Sequence, residues 1–267
     1  MFWNGLDAAP VDLPLLPEDT EGSALGINDA GIIVGFSSHD ASSEKGVVWR
    51  VFVDENGDVS FVDEPVPLPP LDGDTRTAGL DLTELIDGSF QVSGNSRGEA
   101  GTPFGPAEAV VWTIGVNPDG MLATPPAPAD LGTLGLSDPS NSYGNAINVF
   151  GDACGSSDGM PYVAPAGQTA QPLPVPRNTH SGLAFDINDL GEIVGGLTIL
   201  TKGGAYAPSY AYLWKDGDAI DLKTQIDRKS GWGSLWNANA INNAGIIAGR
   251  GRFDVESRGF LLIPNEP

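Results

Sequence analysis

The chain has 267 residues, 35 acids against 13 bases, a net charge of −22 and an apolar fraction of 40 %. Val, Ile, Leu and Trp recur in short, evenly spaced bursts, which excludes a disordered chain, while 36 Gly and 22 Pro call for many turns. The acidity disfavours nucleic acid and anionic lipid as partners; it serves solubility, as in saline or calcium-containing surroundings, or suits a cationic or neutral ligand, and no apolar run reaches the ~18 residues of a membrane span, so no membrane insertion is expected.

In chain order, the opening Met-Phe-Trp-Asn-Gly-Leu-Asp lacks the basic and apolar regions of a secretion signal, which is expected to be absent from this sequence or already trimmed. A strand entered through Asp12-Leu13 comes next. The first hairpin spans residues 23–36 around Ile27-Asn28-Asp29-Ala30-Gly31-Ile32-Ile33-Val34-Gly35. It leads to the apolar strand Val47-Val48-Trp49, a turn at Glu55-Asn56-Gly57-Asp58 and a Pro67-Leu68 strand. The second hairpin, residues 78–95, is degenerate, with Asp87-Gly88 at its turn; Val110-Val111-Trp112, the turn Asn117–Gly120 and Asp130-Leu131 complete that unit. The third hairpin, residues 143–156, contains Ile147-Asn148 and is followed by Tyr162 and Pro172-Leu173. The fourth, residues 183–196, contains Ile187-Asn188 and leads to Tyr212-Leu213-Trp214, the turn Lys215–Asp218 and Asp221-Leu222. The fifth, residues 237–250, contains Ile241-Asn242, and the chain closes on Phe260-Leu261-Leu262.

The repeated motif Ile-Asn-x-x-Gly-x-(Ile/Val)-(Val/Ala)-Gly is a β-hairpin, since Asn initiates a turn and Gly supplies the positive φ that closes it. A residue of minimal size, Ala24, Gly144, Ala184 or Ala238, stands three before each Ile-Asn pair, as inner strands crowded around an axis require. Four strands per unit at a spacing of ~40–60 residues predict an all-β fold, a β-propeller of five four-stranded blades forming a single domain over 1–267. Because the chain opens on an Asp-Leu strand and ends on an aromatic strand, pairing of the N-terminal and C-terminal strands is expected to close the ring. Phe2-Trp3 is an aromatic fragment left over from this count.

The units resemble the HAF repeat of bacterial extracellular proteins. The likeness rests on Tyr210-Ala211-Tyr212-Leu213-Trp214, at the place of the His-Ala-Phe triplet that names the family, on Asp130-Leu131-Gly132-Thr133-Leu134-Gly135 and on the Ile-Asn hairpins; Gly46-Val47-Val48 and Ala109-Val110-Val111 depart from the triplet. It implies the fold and an extracellular or cell-surface location, and brings no catalytic residue with it.

Chemistry-bearing residues are sparse. Gly155-Ser156-Ser157-Asp158-Gly159 spells a nucleophile elbow, but no helix pattern follows it and the repeat explains the letters. Cys154, the only cysteine, stands where sister repeats carry Val34 and Val194 and reads as core. His39 reads as an exposed loop residue. The acidic turns at Asp54–Asp58 and Asp72-Gly73-Asp74 could hold calcium, but turn chemistry accounts for them; no cofactor or metal site is expected.

The loops entering the inner strands differ most between repeats and gather Arg76, Tyr143, His180, Trp232 and Trp236. These are the candidate ligand-binding residues at the channel mouth, where aromatic faces with polar neighbours suit a sugar or a peptide side chain; for Trp232 and Trp236 the competing reading is core under their own loop. The expected function is non-catalytic binding or adhesion to a glycan or protein surface, with no oligomeric state implied. The alternatives are a polysaccharide hydrolase or lyase with a carboxylate pair at the channel, drawn from Glu21, Asp74 or Asp186, and a building block of a surface assembly.

Overall fold

A computed structural model describes residues 10–40, 42–54, 59–85, 88–98, 106–137, 140–200 and 206–265. The expected turn at Glu55–Asp58, Asp87 of the second hairpin and Phe2-Trp3 lie outside these residues. The fold is all-β, five antiparallel sheets taken one after another along the chain, in two compact units, Met1–Gly132 and Thr133–Pro267.

The first unit holds two sheets. In one, β1 (Glu21–Ile27) pairs with β2 (Ile32–Ser38) and β2 with β3 (Lys45–Val53); β4 (Val59–Val62) and β5 (Val66–Pro67) both pair with β3. The other runs β6 (Arg76–Glu84), β7 (Phe90–Arg97), β8 (Ala107–Ile114), β9 (Ala129–Asp130). Their shared core joins Ile32, Val34 and Val48 to Phe90, Val92, Val110 and Trp112.

The second unit holds three sheets. The third sheet is β10 (Ser142–Ile147), β11 (Ala153–Ser157), β12 (Met160–Ala164), β13 (Gln171–Pro172), and the fourth is β14 (Thr179–Ile187), β15 (Ile193–Leu200), β16 (Tyr206–Lys215), β17 (Asp218–Asp221). After a short 3-10 helix, Leu222–Gln225, the fifth sheet has three strands, β18 (Trp232–Ile241), β19 (Ile247–Phe253) and β20 (Glu256–Leu262). Three sheets have four strands, the first adds β4, and among the described residues the fifth has β18–β20, the three strands that the expected ring closure leaves to the end of the chain. The Asp-Leu and Pro-Leu pairs also sit differently from their reading. They end the short outer strand rather than open one: Pro67, Asp130, Pro172 and Asp221 are the last strand residues and the leucine after each turns inward.

The asparagine of each clear hairpin motif makes the same turn. Asn28 Oδ1 accepts from the backbone N–H of Ala30 (3.1 Å) and Ile32 (3.0 Å), and Asn148, Asn188 and Asn242 repeat the pair on residues two and four ahead. The glycines that close these turns, Gly31, Gly151, Gly191 and Gly245, have φ of 73°, 83°, 75° and 71°. In the degenerate repeat Leu85 occupies the asparagine position and keeps only the backbone bonds, to Ser89 and from Gly88.

Every inner strand also carries one shared bulge, after Ala24, Gly79, Gly144, Ala184 and Ala238. The small residues seen in the sequence mark this bulge. Opposite each stands a glycine of the second strand, Gly35, Gly94, Gly155, Gly195 or Gly249. A Cβ on these glycines would lie 1.9, 2.1, 1.8, 2.0 and 2.2 Å from the carbonyl oxygen of Ser23, Ala78, Tyr143, Leu183 and Asn237. No side chain fits there, so the motif's final glycine is a steric requirement of the bulge. Three sheets share one more anchor. Trp49, Trp112 and Trp214 donate their indole N–H to the carbonyls of Pro14 (2.7 Å), Pro69 (2.8 Å) and Pro174 (2.8 Å), tying each third strand to the connector before its sheet.

Gly195→Ala is expected to destabilise the chain by about 1–3 kcal/mol or more, as overpacking against rigid backbone does, whereas Gly98→Ala, whose nearest neighbour is Asp74 Oδ1 at 3.6 Å, should leave stability within about 0.5 kcal/mol. Urea denaturation of the two variants checks this.

Candidate functional site

In the second unit the hairpin turns stack in register. Asn148 Nδ2 donates to the Asn188 carbonyl (3.2 Å) and Asn188 Nδ2 to the Asn242 carbonyl (3.1 Å), so β10, β14 and β18 all begin at the opposite end. Tyr143, His180, Trp232 and Trp236 stand at that end, on three successive inner strands. Arg76 belongs to the first unit, where it opens β6 opposite Arg97, half-buried, its Nε donating to the Gly98 carbonyl at 3.3 Å.

Backbone irregularity singles out two of these residues. In β14 the register shifts between Thr179 and Ser181, so His180 is an inserted residue, and it is exposed. In β18 it shifts twice before the shared bulge, between Trp232 and Ser234 and between Leu235 and Asn237, leaving Gly233 and Trp236 as insertions. An inserted residue is re-aimed relative to the pleat, as at many functional sites. Trp236 is partly buried and carries the Arg250 guanidinium over its ring at 5.5 Å, while Arg250 Nε donates to Ser257 Oγ at 2.8 Å. A Cβ on Gly233 would meet Arg252 Nε at 3.2 Å and Nη2 at 3.3 Å, so that guanidinium lies across the strand.

The two tryptophans differ in role. Trp232 packs edge-on against Phe253 (5.3 Å) and Phe260 (5.8 Å) and joins the core cluster of Leu235, Ile241 and Ile247. Trp236 lies outside that cluster.

Sequence reasoning missed the arginines. Residues 228–258 hold five of the 13 bases, Arg228, Lys229, Arg250, Arg252 and Arg258, against two of the 35 acids, Asp254 and Glu256. A local surplus of three positive charges in a chain of net −22 was visible as a run in the sequence; the whole-chain charge concealed it. All five basic residues are exposed.

The carboxylates considered for acid–base work have structural partners. Asp74 Oδ2 accepts from Ser96 Oγ (2.6 Å), and Asp19 does the same for Ser37 (2.7 Å) one sheet earlier, so Asp74 is a repeated loop anchor. Asp186 accepts from the backbone N–H of Ile241 (2.7 Å) and Ile187 (2.9 Å), linking the fourth and fifth sheets; burial nonetheless holds its carboxyl above the usual range. Glu21 is exposed on β1. On β8, burial raises Glu108, with Asp130 and Asp74 adding repulsion. The calcium candidate Asp72-Gly73-Asp74 includes this anchored Asp74, and among the described residues no group of three His, Cys, Asp or Glu side chains could hold a metal ion. Cys154 is fully buried in the core of the third and fourth sheets.

At the hairpin end, Lys215 Nζ lies 2.6 Å from Glu192, which also accepts from Asn188 Nδ2 at 2.8 Å. Burial pushes the Glu192 carboxyl up, but the bonds from Lys215 and Asn188 outweigh it and hold it below the usual carboxylate range; the same pairing raises Lys215.

No protein-family profile and no curated protein sequence matches the chain. Among solved structures it is similar to selenomethionine-substituted virginiamycin B lyase from Staphylococcus aureus, at 10 % identity over 90 % of this chain and 95 % of that one, with a TM-score of 0.28. A likeness of that degree carries nothing over to this chain.

The depressed Glu192 fixes a pH prediction. Its folded pKa lies below the unfolded value, so its contribution to stability is complete above the ordinary carboxylate range and is lost as pH falls through the folded value. Thermal midpoints measured from neutral pH downward should therefore fall less steeply for Lys215→Met than for the wild type.

Proposed function

We propose that the chain is an extracellular, non-catalytic binding module that recognises a glycan through the aromatic and basic surface where β18 begins. The observation that carries this reading is the pair of insertions in β18. They turn Trp236 out of the core cluster, with Arg250 stacked on it and Arg252 laid over Gly233. A sugar ring presents C–H faces that stack on an indole and polar groups that guanidinium donors bind in fixed geometry. The local positive surplus favours sugars bearing carboxylate or sulfate over the cationic or neutral ligand that the net charge would suit. Tyr143 and His180 begin the neighbouring strands at the same end and would extend the surface; the extracellular location follows from the resemblance to HAF repeats.

The same proposal takes the five sheets as blades of one propeller ring. Its support is the register. Val47 pairs with Pro67, Val110 with Asp130, Tyr162 with Pro172 and Tyr212 with Asp221, each the third-strand residue opposite the repeat glycine. In the fifth sheet that residue is Phe260, opposite Gly249; among the described strands none pairs with β20 on its outer side, and Asp12-Leu13-Pro14 has the composition of such a strand. Ring closure would place Asp12 opposite Phe260 and Val11 opposite Leu261. A Val11→Cys/Leu261→Cys variant made with Cys154→Ala should then form an intramolecular disulfide under mild oxidation; a fully reduced monomer would count against closure.

Binding is tested on an array rich in uronate-containing and sulfated polysaccharides. The wild type should bind a subset of them, and Trp236→Ala and Arg252→Ala should each weaken binding about tenfold or more, some 1.4 kcal/mol, with unchanged melting temperature. Wild type that binds no glycan would overturn the proposal, and binding untouched by both substitutions would move the site elsewhere.

A further inference from the structure

Three of the five sheets carry a tryptophan at one position of the third strand; the third sheet has Ala164 there and the fifth Leu262. Trp49 pairs with Ile33, Trp112 with Val92 and Trp214 with Ile193; the corresponding partner of Ile247 is Leu262. Trp214 belongs to a core cluster that includes Ile187 and Ile193, with Val163, Leu173 and Val175 packed against it. The same register gives Leu213 for Val163, Leu222 for Leu173, Ile241 for Ile187 and Ile247 for Ile193, and Ile226 of the connector packs against the same cluster as Leu262. These residues, Leu262 included, line a cavity of about 610 Å³. The wall of a tryptophan site is therefore repeated where the indole is missing, and the space is of the size that small-molecule sites occupy.

The cavity is not a bare hydrophobic void. Glu192 and Lys215 stand on its wall as an ion pair, and Gln225 and Asp227 of the connector add polar groups. In the three sheets that carry the tryptophan, the indole N–H is satisfied by a proline carbonyl of the connector. Here the connector is Leu222-Lys223-Thr224-Gln225, wound into a 3-10 helix, with Lys223 in the proline's place.

The geometry points to a binding site, between the fourth and fifth sheets at their hairpin end, for a planar bicyclic aromatic of the indole class carrying an N–H donor. Its apolar face would take the contacts that Trp214 makes with its own wall, and the connector's carbonyls and the Gln225 and Asp227 side chains supply acceptors. A cavity with apolar side chains and a few polar groups on its wall suits a planar aromatic molecule that carries a polar edge. The site is separate from the glycan surface, which lies at the other end of the same strands.

Calorimetric titration of the full chain with indole is the test. Saturable one-to-one binding and a raised melting temperature are expected, and Leu262→Trp, which restores the missing ring, should weaken binding at least tenfold while melting at or above the wild type. Should Leu262→Trp fail to fold, Leu262→Phe should weaken binding in the same direction. Absence of saturable binding to the wild type, or affinity unchanged in the folded variants, overturns the proposal. Binding gained only by Phe2→Ala/Trp3→Ala would overturn it too, by assigning the cavity to the chain's own aromatic residues.

Discussion

Five glycines opposite five bulges hold this architecture in place. At each, the inner strand's carbonyl occupies the space a Cβ would need, within 1.8–2.2 Å. The bulge adds one residue to the inner strand, sharpens its twist and re-aims the side chains beyond it, and glycine is the one residue that lets the second strand stay paired across it. The asparagine turn lies a fixed two to three residues away, so turn and bulge set the register of the hairpin together. The degenerate second sheet shows which of the two is indispensable: Leu85 has replaced the asparagine, while Gly94 keeps the bulge.

With the hairpins fixed, the remaining strands depend on the connectors. The Trp–Pro bonds of three sheets, and the serine hydroxyls of Ser37, Ser96 and Ser157 that receive the N–H of Leu16, Leu71 and Leu134, tie each connector to the sheet it borders. Leu197 and Gly251 stand at the serine position of the fourth and fifth sheets. Those two sheets have lost a common anchor at the end where β14 and β18 begin, and they alone add inserted residues there, His180, Gly233 and Trp236. Relief from a repeated constraint and divergence of the strand ends thus coincide in the fourth and fifth sheets.

The fifth sheet is the most altered copy. Among the described residues no outer strand pairs with β20, its connector has no proline, its third strand, like that of the third sheet, has no tryptophan, and it concentrates the chain's basic residues. In a repeat protein the shared positions maintain packing and the exceptional ones are free to recognise something. Arg250 and Arg252 lie on the same face of β19, and Trp236 is stacked beneath the first of them. Leu262 faces the opposite side, toward the fourth sheet and the 3-10 connector.

Hairpins, turn glycines, small inner-strand residues and the buried place of Cys154 were legible in the sequence, because each arises from local backbone geometry or a period that repeats along the chain. The division of labour between Trp232 and Trp236 was not. Both are aromatic, four apart in one strand, and only the two extra bulges of β18 put them on different sides. Asp74 and Asp186 read as candidate acids until Ser96 and two backbone N–H groups, one of them from the next sheet, were seen to hold them. Leu262 as a missing tryptophan became visible only in the register, which aligns residues by hydrogen bonding rather than by spelling. The sequence by itself determined the repeat and its hairpins, which are local. The tertiary structure decided which side chains leave the core and which cavity stays unfilled, since both depend on how one sheet packs on the next.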